Sequence, residues 1–182
     1  MARLQVLDLS NTNIKALPDS LANLFALKEL LLRRCELFMK LSPQVGKLDK
    51  LEELDLDETE IMSVLIDVGK LVKLRVLKVS IYGHTNFSKR KQLQSNIVLH
   101  PEMVSNVSRL IELSIVVDPS DKWWHELAEE VVKGACNLVG LRSLCLYLPD
   151  SQLLDYTSFM YPSLSCFKFT VGHQKEKHLP CA

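Results

Sequence analysis

The residues of this chain with the most chemical capacity are the acids of LEELDLDETEI, residues 51–61. Glu52, Glu53, Asp55, Asp57, Glu58 and Glu60 crowd into this stretch. Neighbouring carboxylates can divide acid and base roles when their environments push their pKa values apart. A second candidate is HELAE at residues 125–129. It opens like a zinc-protease motif, but Glu129 stands where the second histidine ligand is required. The six glycines, Gly46, Gly69, Gly83, Gly134, Gly140 and Gly172, form neither G-x-G-x-x-G nor G-x-x-x-x-G-K-[ST]. No G-x-S-x-G elbow is present. Cys35, Cys136, Cys145, Cys166 and Cys181 contain no Cys-x-x-Cys pair, and the five histidines are dispersed. The expectation is therefore no enzyme: no catalytic residue, cofactor, metal or small-molecule substrate, with the carboxylates on a solvated surface.

The elements that must position those acids follow from the apolar residues between them. LEELDL at Leu51 has counterparts along the chain: LQVLDL at Leu4, LKELLL at Leu27, LRVLKV at Leu74, LIELSI at Leu110, LRSLCL at Leu141 and LSCFKF at Leu164. All seven read apolar–x–x–apolar–x–apolar, with starts 23, 24, 23, 36, 31 and 23 residues apart. The last two apolar positions, such as Leu54 and Leu56, lie on one face of a strand, and Glu53, Asp55 and Asp57 lie on the other. One such strand cannot bury its apolar face alone, whereas stacked copies form a parallel sheet over a continuous core. Return segments complete each unit. In the first, Ile14, Leu17, Leu21 and Leu24 face inward and Pro18 bends the chain; Ile61, Val64, Val68 and Leu71 repeat the scheme.

This pattern resembles the leucine-rich repeat L-x-x-L-x-L-x-x-N/C-x-L, with Thr12, Cys35 and Thr59 at the ninth position. LDLSNTNIKALPDSL and the Thr/Cys alternation resemble the repeats of plant intracellular disease-resistance proteins, which carry a nucleotide-binding module ahead of them. The resemblance covers residues 4–79 most closely. It continues over 104–170, where WWHELAEEVVKGACNLVGLRSLCLYL reads like later repeats of that family. The family's nucleotide-binding motifs are absent.

The expected fold is thus α/β: a horseshoe solenoid forming one domain over residues 1–182. Seven short parallel strands are expected near 4–9, 27–32, 51–56, 74–79, 110–115, 141–146 and 164–169, with helical or irregular convex segments. Two units are too long. One holds an exposed insertion at about 81–100 carrying Lys89, Arg90 and Lys91 before PEMVSNVSRL resumes the return. Its readings are a solvated loop, a contact for a partner or phosphate-bearing ligand, or a nuclear import signal. The other holds a convex helix over about 119–136. Asp118 would cap it, Pro119 would open it, and Trp124, Leu127, Val131 and Cys136 or Leu138 would form its apolar stripe. Trp124 is expected in the core, and Gly134 either ends the helix or is tolerated inside it. Residues 172–182 read as a polar tail.

Composition is ordinary for a soluble globular protein. The chain is 47% hydrophobic, with 22 basic and 22 acidic residues, so general adhesion to nucleic acid or an anionic membrane is not expected. No apolar run reaches a membrane-spanning length, the first residues are not a signal peptide, and the scattered cysteines suit a reducing compartment. The expected location is the cytoplasm, extending to the nucleus. The sequons at Asn86 and Asn106 then read as chance matches.

On the concave sheet, one column would hold Asp8, Leu31, Asp55, Lys78, Ser114, Cys145 and Lys168. Those beside it hold Val6, Glu29, Glu53, Val76, Glu112, Ser143 and Cys166, and Ser10, Arg33, Asp57, Ser80, Val116, Tyr147 and Thr170. An acidic patch centred on Glu53, Asp55 and Asp57 is expected to steer a basic partner and to give nothing to folding. Lysine at both Asp55 and Asp57 should then weaken binding and leave the circular dichroism unchanged. The candidate contact residues are Glu29, Leu31, Arg33, Glu53, Asp55, Asp57, Lys78, Glu112, Tyr147 and Lys168. Resemblance implies a recognition and regulatory domain of an immune receptor or a truncated relative. Its partner would be a pathogen effector, a guarded host protein or a nucleotide-binding module. Alternatives are the substrate receptor of a ubiquitin ligase and a free-standing scaffold or decoy. The first strand starts near Met1 without a polar cap, so a neighbouring module or partner is expected to cover it.

Overall fold

The first apolar residue of each repeat closes a turn. Leu27, Leu51, Leu74, Leu110 and Leu141 each donate a backbone N–H to the carbonyl three residues earlier, at 2.9–3.1 Å. The strand begins two residues later, where alternation takes over. The computed structural model describes residues 3–61, 63–64, 66–81, 98–99, 101–117, 122–153, 163–171 and 175–178. Its strands are β1 (Val6–Asp8), β2 (Glu29–Leu31), β3 (Glu53–Leu56), β4 (Ser63–Val64), β5 (Val76–Ile81), β6 (Val98–Leu99), β7 (Glu112–Val117), β8 (Ser143–Leu148), β9 (Cys166–Val171) and β10 (Lys175–His178). One sheet runs β1-β2-β3-β5-β7-β8-β9-β10, and β4 pairs with β6 apart from it. The seven strands from β1 to β9 pair in parallel, as the repeat predicts.

Two expectations about its ends are corrected. The strands start two residues later than the motif, because its first leucine belongs to the turn. β5, β7, β8 and β9 keep the expected six residues and end two residues further on. In the first three repeats the chain instead turns left-handed after the strand, at Asn11 (φ 59°), Arg34 (φ 57°) and Glu58 (φ 54°). The polar tail also contains structure: β10 adds antiparallel to β9, with Lys175 opposite Val171 and His178 opposite Lys168.

The core follows the leucine ladder. Leu30, Leu54, Leu77, Leu113 and Leu144 stack in one buried row, and Leu32, Leu56, Val79, Ile115 and Leu146 in the next. Burying each such side chain contributes about 1.5–3 kcal/mol. The return segments close the far side. Three 3-10 turns, Asp19–Asn23, Pro43–Lys47 and Ile66–Lys70, insert Leu21, Val45 and Val68. Pro43 opens the second, where Ser42 accepts the Gln44 N–H. Ile61 and Leu71 are buried as expected, and Ile14 and Leu24 pack partly buried against the core. Helix α1 (Pro101–Asn106) resumes the return after the insertion, with Met103, Val104 and Val107 buried.

Helix α2 (Lys122–Cys136) fills the second long unit. Trp124 is fully buried, and its Nε1–H donates to the Tyr147 carbonyl at 2.8 Å. The buried stripe is Trp124, Ala128, Val131, Val132 and Ala135; Leu127 and Cys136 lie at its margins. Gly134 is tolerated inside the helix. Asp118, Pro119 and the 82–97 stretch with Lys89, Arg90 and Lys91 lie outside the described residues.

Candidate protein-binding face

The in-register stacking brings the expected columns together. Glu29 aligns with Glu53, and Leu31 with Asp55. Glu53 aligns with Val76, and Asp55 with Lys78. Val76 then meets Glu112, Lys78 meets Ser114, and Cys145 meets Lys168. Parallel strands lie about 4.8 Å apart, so each column is a row of neighbouring side chains.

The acids are not a uniform patch. Asp55 is only 9% exposed, and its Oδ1 accepts the Asp57 N–H at 2.9 Å. Asp8 does the same for the Ser10 N–H at 2.9 Å. These side chains satisfy backbone donors where the chain leaves the strand, so they do support the fold. Burial raises the Asp55 pKa, against the Asp57 N–H bond that lowers it. Asp57 accepts a hydrogen bond from the buried Ser80 hydroxyl and lies 3.8 Å from Arg33 Nε. Lysine at Asp55 or Asp57 would therefore break structure as well as charge. The expected unchanged fold of that double variant is corrected on this ground.

Glu58 bridges two arginines of the preceding repeat, Arg33 Nη2 at 3.1 Å and Arg34 Nε at 2.8 Å. The Arg34 hydrogen bond, with Arg33 beside it, holds the Glu58 carboxyl below its ordinary pKa. Lys78 pairs with Glu112 at 3.1 Å. Burial works to lower the Lys78 pKa, but Glu112, Asp55 and Glu53 outweigh it and raise it.

Glu29 and Glu53 remain. They are register neighbours on adjacent strands, and neither forms an ion pair among the described residues. Desolvation raises the Glu53 pKa; Lys78 opposes this and Glu29 adds to it. Two stacked carboxylates, only partly offset by Lys78, oppose folding slightly and leave a negative site on the open face. Leu31 is half-buried beside them, and Lys168 is exposed. Tyr147 is corrected as a contact: it is 5% exposed, with His125 packed at 6.5 Å between ring centroids. It supports α2 and offers little surface. Burial pushes the Cys145 thiol pKa up, countered by the Ser114 hydrogen bond. Ser80, the buried partner of Asp57, was not among the expected site residues; its place in the Asp57 column was the available signal.

Beneath the face, the ninth-position residues serve the backbone. Thr12 Oγ1 donates to the Leu9 carbonyl at 2.6 Å, and Cys35 Sγ donates to the same carbonyl at 3.1 Å. Thr59 Oγ1 donates to the Leu56 carbonyl at 2.9 Å. No group of three or more potential metal ligands occurs among the described residues. No described helix is long and apolar enough to cross a membrane.

An Arabidopsis thaliana disease resistance protein is 42% identical over 177 residues, covering 93% of this chain and 16% of the relative. A second Arabidopsis thaliana protein named for disease resistance is 32% identical over 113 residues, covering 62% of this chain and 8% of its own length. The chain thus spans less than a fifth of these relatives. An internalin from Listeria monocytogenes shares the fold, with a TM-score of 0.51 at 22% identity over 86% of this chain and 38% of the internalin. The leucine-rich repeat region family matches residues 1–179, so the chain belongs to that family, and its sequence relatives are plant disease resistance proteins.

Proposed function

We propose that this chain is a protein-recognition and regulatory domain of a plant disease-resistance receptor, or of a truncated relative, and that it binds its partner on the concave face. The observation that carries this reading is the Glu29–Glu53 stack: two carboxylates in register on a parallel sheet, neither in an ion pair among the described residues. Folding gains nothing from that juxtaposition, whereas a basic side chain from a partner would neutralise both. Arg33, Asp57, Lys78 and Glu112 surround them in fixed ion pairs and supply a preorganised polar rim; Leu31 supplies apolar contact. Lys168 extends the face at its far end. Partners of this chemistry include a pathogen effector, a guarded host protein and a nucleotide-binding module. The free thiols of Cys35, Cys136, Cys145 and Cys166 support a cytoplasmic setting, reaching the nucleus.

The test is binding of the full chain to purified nucleotide-binding modules and candidate effectors, comparing wild type with Glu29→Lys/Glu53→Lys. These substitutions spare every ion pair described above. The double variant should keep its circular dichroism and lose binding by about tenfold or more. Undiminished binding by a folded double variant rejects the concave face as the contact.

A further inference from the structure

A second surface lies where the chain turns into each strand. Here Glu52 N donates to Lys28 O, Arg75 N to Glu52 O, Ile111 N to Arg75 O, and Arg142 N to Ile111 O, at 2.7–2.8 Å. This ladder fixes the leading edge of the sheet as a continuous row. The four-residue turns that form it, 25–28, 49–52, 72–75, 108–111 and 139–142, contain six cations and two acids. The three concave columns contain six acids and three cations. A chain with no net charge has thus sorted its charge onto two adjoining surfaces.

Among the described residues, five of the six edge cations have no ion-pair partner. Lys50, Lys73, Arg75, Arg109 and Arg142 are exposed and form no ion pair among the described residues. Only Lys28 has a partner, Glu52 at 3.6 Å. Lys73, Arg75 and Arg109 converge with Glu52 around a cavity of about 330 Å³. Exposed apolar side chains stand at matching turn positions: Phe25 (64% exposed), Val72 (60%) and Val139 (71%).

We infer that this basic edge is a docking site for an acidic peptide segment of a partner protein, separate from the concave face. Carboxylates suit it because Arg75 and Arg109 offer forked donors, and the cavity admits a glutamate or aspartate side chain. The row repeats at about 4.8 Å, so an extended segment crossing the repeats meets a cation at nearly every step. Val72 and Val139 give apolar residues of such a segment a place to rest, which a nucleic-acid backbone would not use. Glu53 and Glu112 directly follow Glu52 and Ile111, so a continuous polyphosphate laid here would meet carboxylates on one side. The inference goes beyond the concave-face reading and stands or falls separately from it.

The experiment is fluorescence anisotropy of a labelled peptide of glutamates interrupted by leucine and phenylalanine, titrated with the full chain. Expected is salt-sensitive binding that weakens about tenfold or more in Lys73→Glu/Arg75→Glu/Arg109→Glu and persists in Glu29→Lys/Glu53→Lys. The three edge side chains are exposed, so the variant should fold, and circular dichroism checks this. Lys73→Gln/Arg75→Gln/Arg109→Gln should show an intermediate loss. The peptide with glutamine in place of glutamate, and inorganic phosphate as competitor, should both bind weakly. Three results each overturn the inference: no binding of the acidic peptide, equal binding by the folded triple-Glu variant, or tighter binding of an oligothymidylate than of the peptide.

Discussion

Gly46 and Gly69 occupy the same place in consecutive 3-10 turns, in the related stretches QVGKLDKL and DVGKLVKL, yet they should respond oppositely to alanine. Neither has the positive φ that demands glycine, so only space decides. A Cβ on Gly46 would sit 2.8 Å from the Asp67 backbone carbonyl and 3.2 Å from Asp67 Cβ. Relieving that contact means moving the next turn, and with it the spacing of the solenoid's convex side. Such overpacking costs about 1–3 kcal/mol. The stiffer unfolded chain returns about 0.4–1 kcal/mol. Gly46→Ala should therefore lose about 1–2 kcal/mol, a fall in melting temperature of roughly 2–8 °C for a chain of this size. At Gly69 the nearest atoms are Asn106 Cβ and Nδ2 at 3.3 Å and the Met103 Cα at 3.4 Å, so helix α1 need give only a few tenths of an ångström. Gly69→Ala should be neutral or gain up to about 0.5 kcal/mol. Urea unfolding followed by far-ultraviolet circular dichroism reads both, as a change of midpoint at constant slope. If Gly46→Ala proves as stable as Gly69→Ala, close approach of the turns does not limit the packing and the reasoning fails.

Thr59→Val should cost about 1–3 kcal/mol in the same assay, because the buried Leu56 carbonyl loses its partner. Cys35→Thr should be tolerated better than Cys35→Ala, since a hydroxyl can still donate to Leu9, and thermal melts of the pair would show the order. Trp124→Phe should lose about 1–3 kcal/mol by removing the buried indole N–H bond to the Tyr147 carbonyl, measured by urea unfolding. Glu53 has a raised folded pKa, so its protonated form is favoured by folding, and stability declines as pH rises through the interval above its ordinary value. Glu53→Gln should match wild type in stability at low pH and exceed it near neutrality by up to about 0.5 kcal/mol after solvent screening; a pH series of melts with parallel curves would refute this.

Much of the fold was legible because each repeat states its own burial. Leu54 and Leu56 had to share a face, and Trp124 had to find the core. The tail strand was not legible, since Lys175–His178 has no apolar alternation and its pairing with β9 is a backbone matter. Nor were the left-handed turns at Arg34 and Glu58, because neither residue type favours that conformation. That turn geometry brings Glu58 to Arg33 and Arg34, so the neutralisation within the supposed acidic patch was hidden too. The columns were correct, but a column gives neighbours and not partners. Asp55 and Asp57 looked like spare surface and prove to be occupied with the backbone and with Ser80. The basic edge escaped notice because its residues sit in the turns, outside the strand positions that the repeat makes conspicuous.

The central claim is that a partner is read by the open carboxylates of the concave face. The most direct measurement is a calorimetric titration of the full chain with a purified nucleotide-binding module, at low and physiological salt, for wild type and Glu29→Lys/Glu53→Lys. The account predicts salt-sensitive binding that falls about tenfold or more in the folded double variant. Binding of unchanged strength in that variant would contradict it.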